Sequence, residues 1–418
     1  MSPSAPFSAL LSALLVALAV ASPAAAAEGT PVQYSRAPEG AAAWEHGCSL
    51  RHPACVHAAP GTAVTVLAAA LAAEDRAWDT LTGALALPAP DAQDDGRWHL
   101  YLVDGIAEGA RAELVGLDPR SVDDRGVSLG LVDRATPPGC MLDRAVARAL
   151  AGGALLRAAP ATDPGSARAE TQMLARLATP CAGADDDLFA FQATPERAVV
   201  DPEDPAASLG ASMFFAWLES TFASRPGALV EGLWALAPTR STPGELRWPA
   251  TPTGFDVLRT SLKGALGTDS TLDDALLDFA IDRGLAWPPV RLAWHVPWPE
   301  HPRRFASPVP VAPTGASYVL VDRAGAPAGA SLRVEATWED YGRMRWAVVK
   351  VDAAGRPRAI LPIGSTRLAT HAALTVEIVD DADRILVVGA NVGSTEAPFD
   401  PNQGGWEPHG WLLTIQAL

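Results

Sequence analysis

PPGCMLDRAVARALAGGALLRAAP, residues 137–160, is the stretch whose reading decides the fold of the first half of the chain. Two prolines and a glycine stop whatever precedes it. From Cys140 onward, Leu142, Ala145, Val146 and Ala149 recur at the spacing of one helical face. Arg144 and Arg148, four residues apart, share a second face. Gly152 and Gly153 each cost about 1 kcal/mol of helix propensity relative to alanine. Their place inside the run implies close approach by a neighbouring element. The stretch therefore predicts a buried helix over about 142–157.

Working outward, WHLYLVD (98–104) and GVSLGLVD (126–133) predict strands before this helix. Helical spacing recurs over 63–87, with Val66, Leu67, Ala70 and Leu71 on one side, and again over 166–178, 206–223, 226–236, 255–265 and 271–284. Residues 28–285 thus predict an α+β domain in which strands come early and helices late. The proline- and tryptophan-rich segment 286–302 cannot continue a helix and is read as a linker. Beyond it lie the short runs SYVLVD, SLRVEATW, RWAVVKVD, LTVEIVD, RILVVGAN and WLLTIQAL, several separated by turn signals such as DRAGAP. They predict an all-β sandwich over 303–418. Seven of the 13 tryptophans lie beyond residue 285, which suits a small β core built from large side chains.

Residues 1–27 carry an apolar core, Leu10 to Ala21, ahead of an alanine-rich stretch ending before Glu28, and are read as a removable export signal. The chain from Glu28 onward is long enough for two domains. No later stretch reaches membrane length without charges, so no transmembrane anchor is expected in the mature chain. The net charge is −16, and Lys263 and Lys350 are the only lysines. That balance repels phosphate backbones and anionic lipid, so nucleic acid is excluded as a partner.

Four cysteines, Cys48, Cys55, Cys140 and Cys181, allow three pairings in an oxidising compartment. Cys48–Cys55 with Cys140–Cys181 is the preferred set: a small closed loop and a clamp across a helical pair. HGCSLRHPACVH also crowds His46, His52 and His57 around two of the cysteines, but neither spacing is that of a zinc knuckle.

The order of elements over residues 55–285 resembles the gluzincin-type, thermolysin-like zinc metallopeptidases, and is most similar to secreted members of that group. The resemblance rests on WHLYLVD, GVSLGLVD, DRAVARALAGGALL and a second helix opening at Ala169-Glu170. GASMFFAWLESTF and TLDDALLDFAIDRG resemble the group's C-terminal helices, and a β-sandwich often comes after them there. In that family His-Glu-x-x-His places two zinc ligands on one helical face, with a glutamate between them to take a proton from the bound water. Here the corresponding positions are Arg144, Ala145 and Arg148, and Glu170 stands where the third ligand would come. Arginine has no lone pair to give a metal. The resemblance therefore implies a degenerate zinc site, with no catalytic residues and no bound zinc. Glu170 shares a face with Met173, Leu174 and Leu177, which predicts an inward carboxylate paired with Arg148 or Arg144. The alternative is that Glu170 lies in solvent at the helix start, or pairs with Arg168 or Arg176.

None of the eight histidines belongs to His-Glu-x-x-His or its inverse; His99 is expected as a satisfied core histidine. Gly126-Val-Ser128-Leu-Gly130 matches the esterase elbow, but the strand that should precede the serine is a polar loop. Asp185 to Asp187, and Asp201 with Asp204, are read as solvated loops. Asp400, Asn402 and Glu407 offer oxygens to calcium without the full ligand ladder of a known loop. Trp406 and Trp411 are read either as a sugar platform or as core. Together these readings predict a secreted, non-catalytic metallopeptidase-like protein without a cofactor, acting in extracellular binding or scaffolding toward a protein or glycan. A hydrolase with an unrecognised site and a glycan-binding surface protein are the alternatives.

Overall fold

A computed structural model describes residues 31–118, 124–181, 186–201, 204–240, 244–245, 247–249, 252–263, 271–340, 342–364, 369–377, 379–394 and 407–418. The export signal expected over 1–27 lies outside the described residues, as do Asp185, Asp400, Asn402 and Trp406.

The chain opens with a hairpin, β1 (Glu45–Cys48) and β2 (Ala54–Ala58), then α1 (Val64–Trp78), which runs on as a π-helical turn, Asp79–Ala84. Next come β3 (Trp98–Val103), β4 (Ala110–Leu117), β5 (Gly126–Asp133), α2 (Cys140–Ala158) and α3 (Pro164–Ala178). The sheet order is β1-β2-β3-β5-β4, with β2, β3 and β5 parallel and an antiparallel strand at each edge. Helices α1 and α2 pack together on one face. Tyr101, Leu129 and Leu131 form a small cluster with Ala41 on the other.

The opening stretch is α2, buried as its pattern requires, and its glycines are explained by contact. A Cβ on Gly152 would stand 2.9 Å from the Cβ of Ala112 on β4. One on Gly153 would stand 3.0 Å from Pro90 and 3.1 Å from Trp98 Nε1. Asp163 caps α3 by accepting from Ser166 N at 2.8 Å, and Pro164 occupies the first turn.

Six further helices complete this part: α4 (Asp186–Ala193), α5 (Pro205–Gly210), α6 (Ser212–Phe222), α7 (Ala228–Ala235), α8 (Gly254–Lys263) and α9 (Leu272–Leu285). The helix expected over 206–223 is two, broken at Ala211. Asp187, expected in a solvated loop, begins α4 and accepts from Gln172 Nε2 at 3.0 Å and Arg176 at 2.6 Å.

The remaining strands are β6 (Trp294–Val296), β7 (Arg303–Ala306), β8 (Ala316–Asp322), β9 (Leu332–Trp338), β10 (Gly342–Val351), β11 (Pro357–Ile363), β12 (His371–Val376), β13 (Arg384–Ser394) and β14 (Trp411–Ala417). They form two sheets, β11-β10-β13-β8-β6 and β12-β9-β14-β7, with a shared core that includes Val334, Trp346, Val348 and Leu413. An α+β region followed by a β-sandwich is thus the architecture.

The two parts are joined by packing. Alternate residues of β10 and β13 serve different cores: Val348 and Val387 face the second sheet, while Val349, Leu386 and Val388 join the core of α9. Tyr318 on β8 donates its hydroxyl to Ala280 O at 2.8 Å. A sheet covered on both faces reads as near-continuous apolar runs. The segment expected as a linker is part of this assembly. β6 pairs parallel to β8, and Arg291 N donates to Gln192 O at 2.9 Å.

Candidate functional site

Two depressions flank α3, and the sequence-predicted positions divide between them. Helical geometry turns Asp163, Ser166 and Glu170 to one side and Pro164, Ala167, Arg168 and Thr171 to the other.

On the second side lies a groove between α3, α2 and the outer edge of β4, where Ser35 N donates to Leu114 O at 2.7 Å. Arg148 of α2 forms part of its floor and donates to the carbonyl oxygens of both Glu108 and Ala110. The Glu108 carboxylate accepts from Arg168 Nε at 3.0 Å, so this residue is held by two arginines. Burial pushes the Arg148 guanidinium down to about 10, with the Glu108 carboxylate opposing the shift. Arg144, one turn earlier, donates to Cys181 O at 3.0 Å, and Ala145 between them is half-buried.

Glu170 belongs to the opposite depression, a pocket between α3, α6, α7 and α8. It is 4% exposed and accepts from Trp234 Nε1 of α7 at 2.9 Å. Burial pushes its carboxyl up to about 8; the Trp234 bond opposes the rise and nearby Asp163 adds to it.

The inward position expected for Glu170 is therefore found, but its expected partner is not. Arg148 bonds to β4, Arg144 to Cys181, and Arg176 to Asp187. Separation along the chain sets how far Glu170 lies from Arg148 in sequence, but not the azimuth at which α3 presents it. Arg144, Arg148 and Glu170 do not converge on one point, and two of them are guanidinium groups. These residues do not fit a zinc ion. Among the described residues, no group of three or more His, Cys, Asp or Glu side chains is placed to hold a metal.

The cysteines pair as Cys48–Cys55 and Cys140–Cys181. The first bridge joins partners directly opposite in β1 and β2. The second ties the start of α2 to the end of α3. Beside the first bridge the sheet brings together histidines that are scattered in sequence. His57 Nε2 lies 2.8 Å from His99 Nδ1, and His99 Nε2 lies 3.0 Å from Asp95 Oδ1. His46 stacks on His57 with ring centroids 5.3 Å apart. Burial, then the neighbouring His99 and His46, push His57 down to about 4. His99 is the satisfied histidine expected, with partners that only strand pairing supplies. His52 departs from the group to meet Asp79 at 3.0 Å and to stack on Trp78.

Ser128 is fully buried in β5 and receives Trp98 Nε1 at 3.2 Å, a core role rather than a nucleophile's. Trp411 is core as well, edge-on to Trp346 at 5.7 Å, which removes it from a sugar platform. Glu407 is exposed. Sequence reasoning missed β4 and Glu108; the run ARAELVGL carried a strand-length apolar signal, but its alternation is irregular.

No family model matches the chain, and no curated protein matches it. Among solved structures, it is similar to the pre-peptidase C-terminal domain of a collagenase from Bacillus anthracis. The identity there is 7%, covering 30% of this chain and 97% of that one, with a TM-score of 0.20. Chitosan-binding module 1 of a chitosanase/glucanase from Paenibacillus sp. IK-5 matches at 14% identity, covering 27% of this chain and 74% of that one, with a TM-score of 0.17. Overlaps this slight carry no argument about this chain.

Proposed function

We propose that the chain is an exported, zinc-independent protein whose metallopeptidase-like domain holds an extended segment of another protein in the groove beside β4, without cleaving it. The observation that carries this reading is the engagement of Arg148 with the carbonyls of Glu108 and Ala110. At the position where the resembled family has its second zinc histidine, this chain has a tie between α2 and the edge strand. The groove above that tie stays open, and β4 has no strand on its outer side among the described residues. Arg148 and Ser35 N take the Ala110 and Leu114 carbonyls, and the main-chain groups that such an edge leaves open recognise extended chains through hydrogen bonds. Two disulfides fit an oxidising compartment, and among the described residues no helix is long and apolar enough to cross a membrane.

Two measurements test this. Elemental mass spectrometry of the dialysed protein should find far less than one zinc per chain. An array of extended peptides should capture the protein, and Thr171→Trp, which fills the groove, should abolish capture while leaving the fold intact. Near-stoichiometric zinc, hydrolysis of the captured peptides, or capture unaffected by Thr171→Trp would each overturn the reading.

A further inference from the structure

We infer that the pocket on the other side of α3 is a binding site for a small apolar amine, whose ammonium group is received by Glu170. The site is separate from the groove beside β4, and the inference does not rest on the function proposed for that groove.

The pocket lies between α3, α6, α7 and α8 and the loops beside them. Its walls are aromatic and aliphatic, with Phe214, Phe215, Trp234 and Phe255 among them. Its polar end is made by the α3 stripe of Asp163, Ser166 and Glu170, one helical turn apart. This is the composition of a small-molecule site: an apolar cavity with a few convergent polar groups.

Glu170 separates a ligand site from ordinary core packing. One oxygen, Oε2, accepts from Trp234 Nε1. The other, Oε1, meets no protein donor among the described residues. A carboxylate has about four lone-pair sites, so an oxygen with no protein donor beside a pocket can receive a ligand's donor. Here the oxygen without a protein donor is not sealed in the core but opens to the pocket that the side chain lines.

The chemistry of that cavity selects the occupant. An anion would meet two carboxyl groups, Asp163 and Glu170, and among the described residues no cation lines the pocket. A hard metal ion needs six or more oxygens, which phenylalanine and leucine walls cannot supply. A neutral polar molecule would be desolvated with few partners. An ammonium on an apolar body satisfies every group: it donates to Glu170 Oε1, supplies the counter-charge that the buried carboxylate lacks, and lays its apolar body against the aromatic and aliphatic walls. Burial already biases Glu170 toward its neutral form. A bound cation removes that bias.

Isothermal titration of the full chain with 4-phenylbutylamine and with 4-phenylbutan-1-ol tests this, because the two differ only in the charged head. The amine is expected to bind at least tenfold more tightly than the alcohol. Glu170→Gln keeps an acceptor for Trp234 and should erase that preference while leaving the alcohol's affinity in place. Leu258→Trp fills the pocket and should abolish both. Equal affinities in the parent protein, or no binding of either at millimolar concentration, would overturn the inference without recourse to any variant. An amine preference that survives Glu170→Gln would do the same.

Discussion

Replacing Arg148 by alanine tests whether the α2 arginine is a tie to β4 or half of an ion pair. The guanidinium is 6% exposed and donates to two main-chain carbonyls, Glu108 and Ala110. A hydrogen bond from a charged donor contributes about 1.5–3 kcal/mol, so losing both costs about 3 kcal/mol at the lower bound. Water entering from the groove offsets some of this at the carbonyls, and removal of a buried charge offsets more. Unfolding entropy is roughly 2.1 cal/mol/K per residue, or about 0.5 kcal/mol/K for a domain of ~250 residues, so 3 kcal/mol corresponds to about 6 °C in Tm. Scanning calorimetry measures this directly. Arg148→Met, which keeps the apolar stem, should lose nearly as much, because the bonds rather than the packing are removed. The double variant Arg148→Ala with Glu170→Gln should be additive within about 0.5 kcal/mol, since the two residues share no partner. An unchanged Tm would show that the carbonyl bonds contribute nothing net. A coupling above about 1 kcal/mol would restore the ion pair that the structure does not form.

Two further outcomes are expected from buried groups elsewhere. Glu74 of α1 is fully buried, neither of its carboxyl oxygens has a hydrogen-bond partner among the described residues, and burial pushes it up to about 8. Its folded pKa is raised above the unfolded one, so between the two values the unfolded chain has already lost a proton that the folded chain retains. Stability therefore falls as pH rises from about 4.5 toward 8, by on the order of 5 kcal/mol. Glu74→Gln should raise the urea midpoint near pH 8 and change it little near pH 4; an equal effect at both would refute the assignment. The Cys140–Cys181 bridge closes 41 residues and the Cys48–Cys55 bridge only 7. Chain entropy gives about 4 and about 2 kcal/mol respectively. The Cys140→Ala/Cys181→Ala variant should thus lose more stability than Cys48→Ala/Cys55→Ala, and the reverse order would count against both bridges acting through the unfolded chain.

Periodicity and punctuation alone determined most of the helices, though not α4 or the break at Ala211, together with the order of an α+β region before a β-sandwich and the reason for Gly152 and Gly153. These are local matters: which side chains share a face, and where proline and glycine stop a run. That α2 has neither histidine nor glutamate was equally plain, because ligand chemistry belongs to residue type. Pairwise contacts between distant segments were not legible. That Glu170 faces Trp234, 64 residues away, and that Arg148 reaches back 38 residues to Ala110, depend on the azimuth of α3 and on which strand lies at the sheet edge. The histidines His46, His57 and His99 meet only because β1, β2 and β3 lie side by side. The segment 286–302 looks like a linker from its prolines, yet β6 pairs within it once β8 offers an open edge. Composition sets what each residue can do; only the packed chain decides which partner it meets, because burial penalises an unpaired polar group wherever the fold places it.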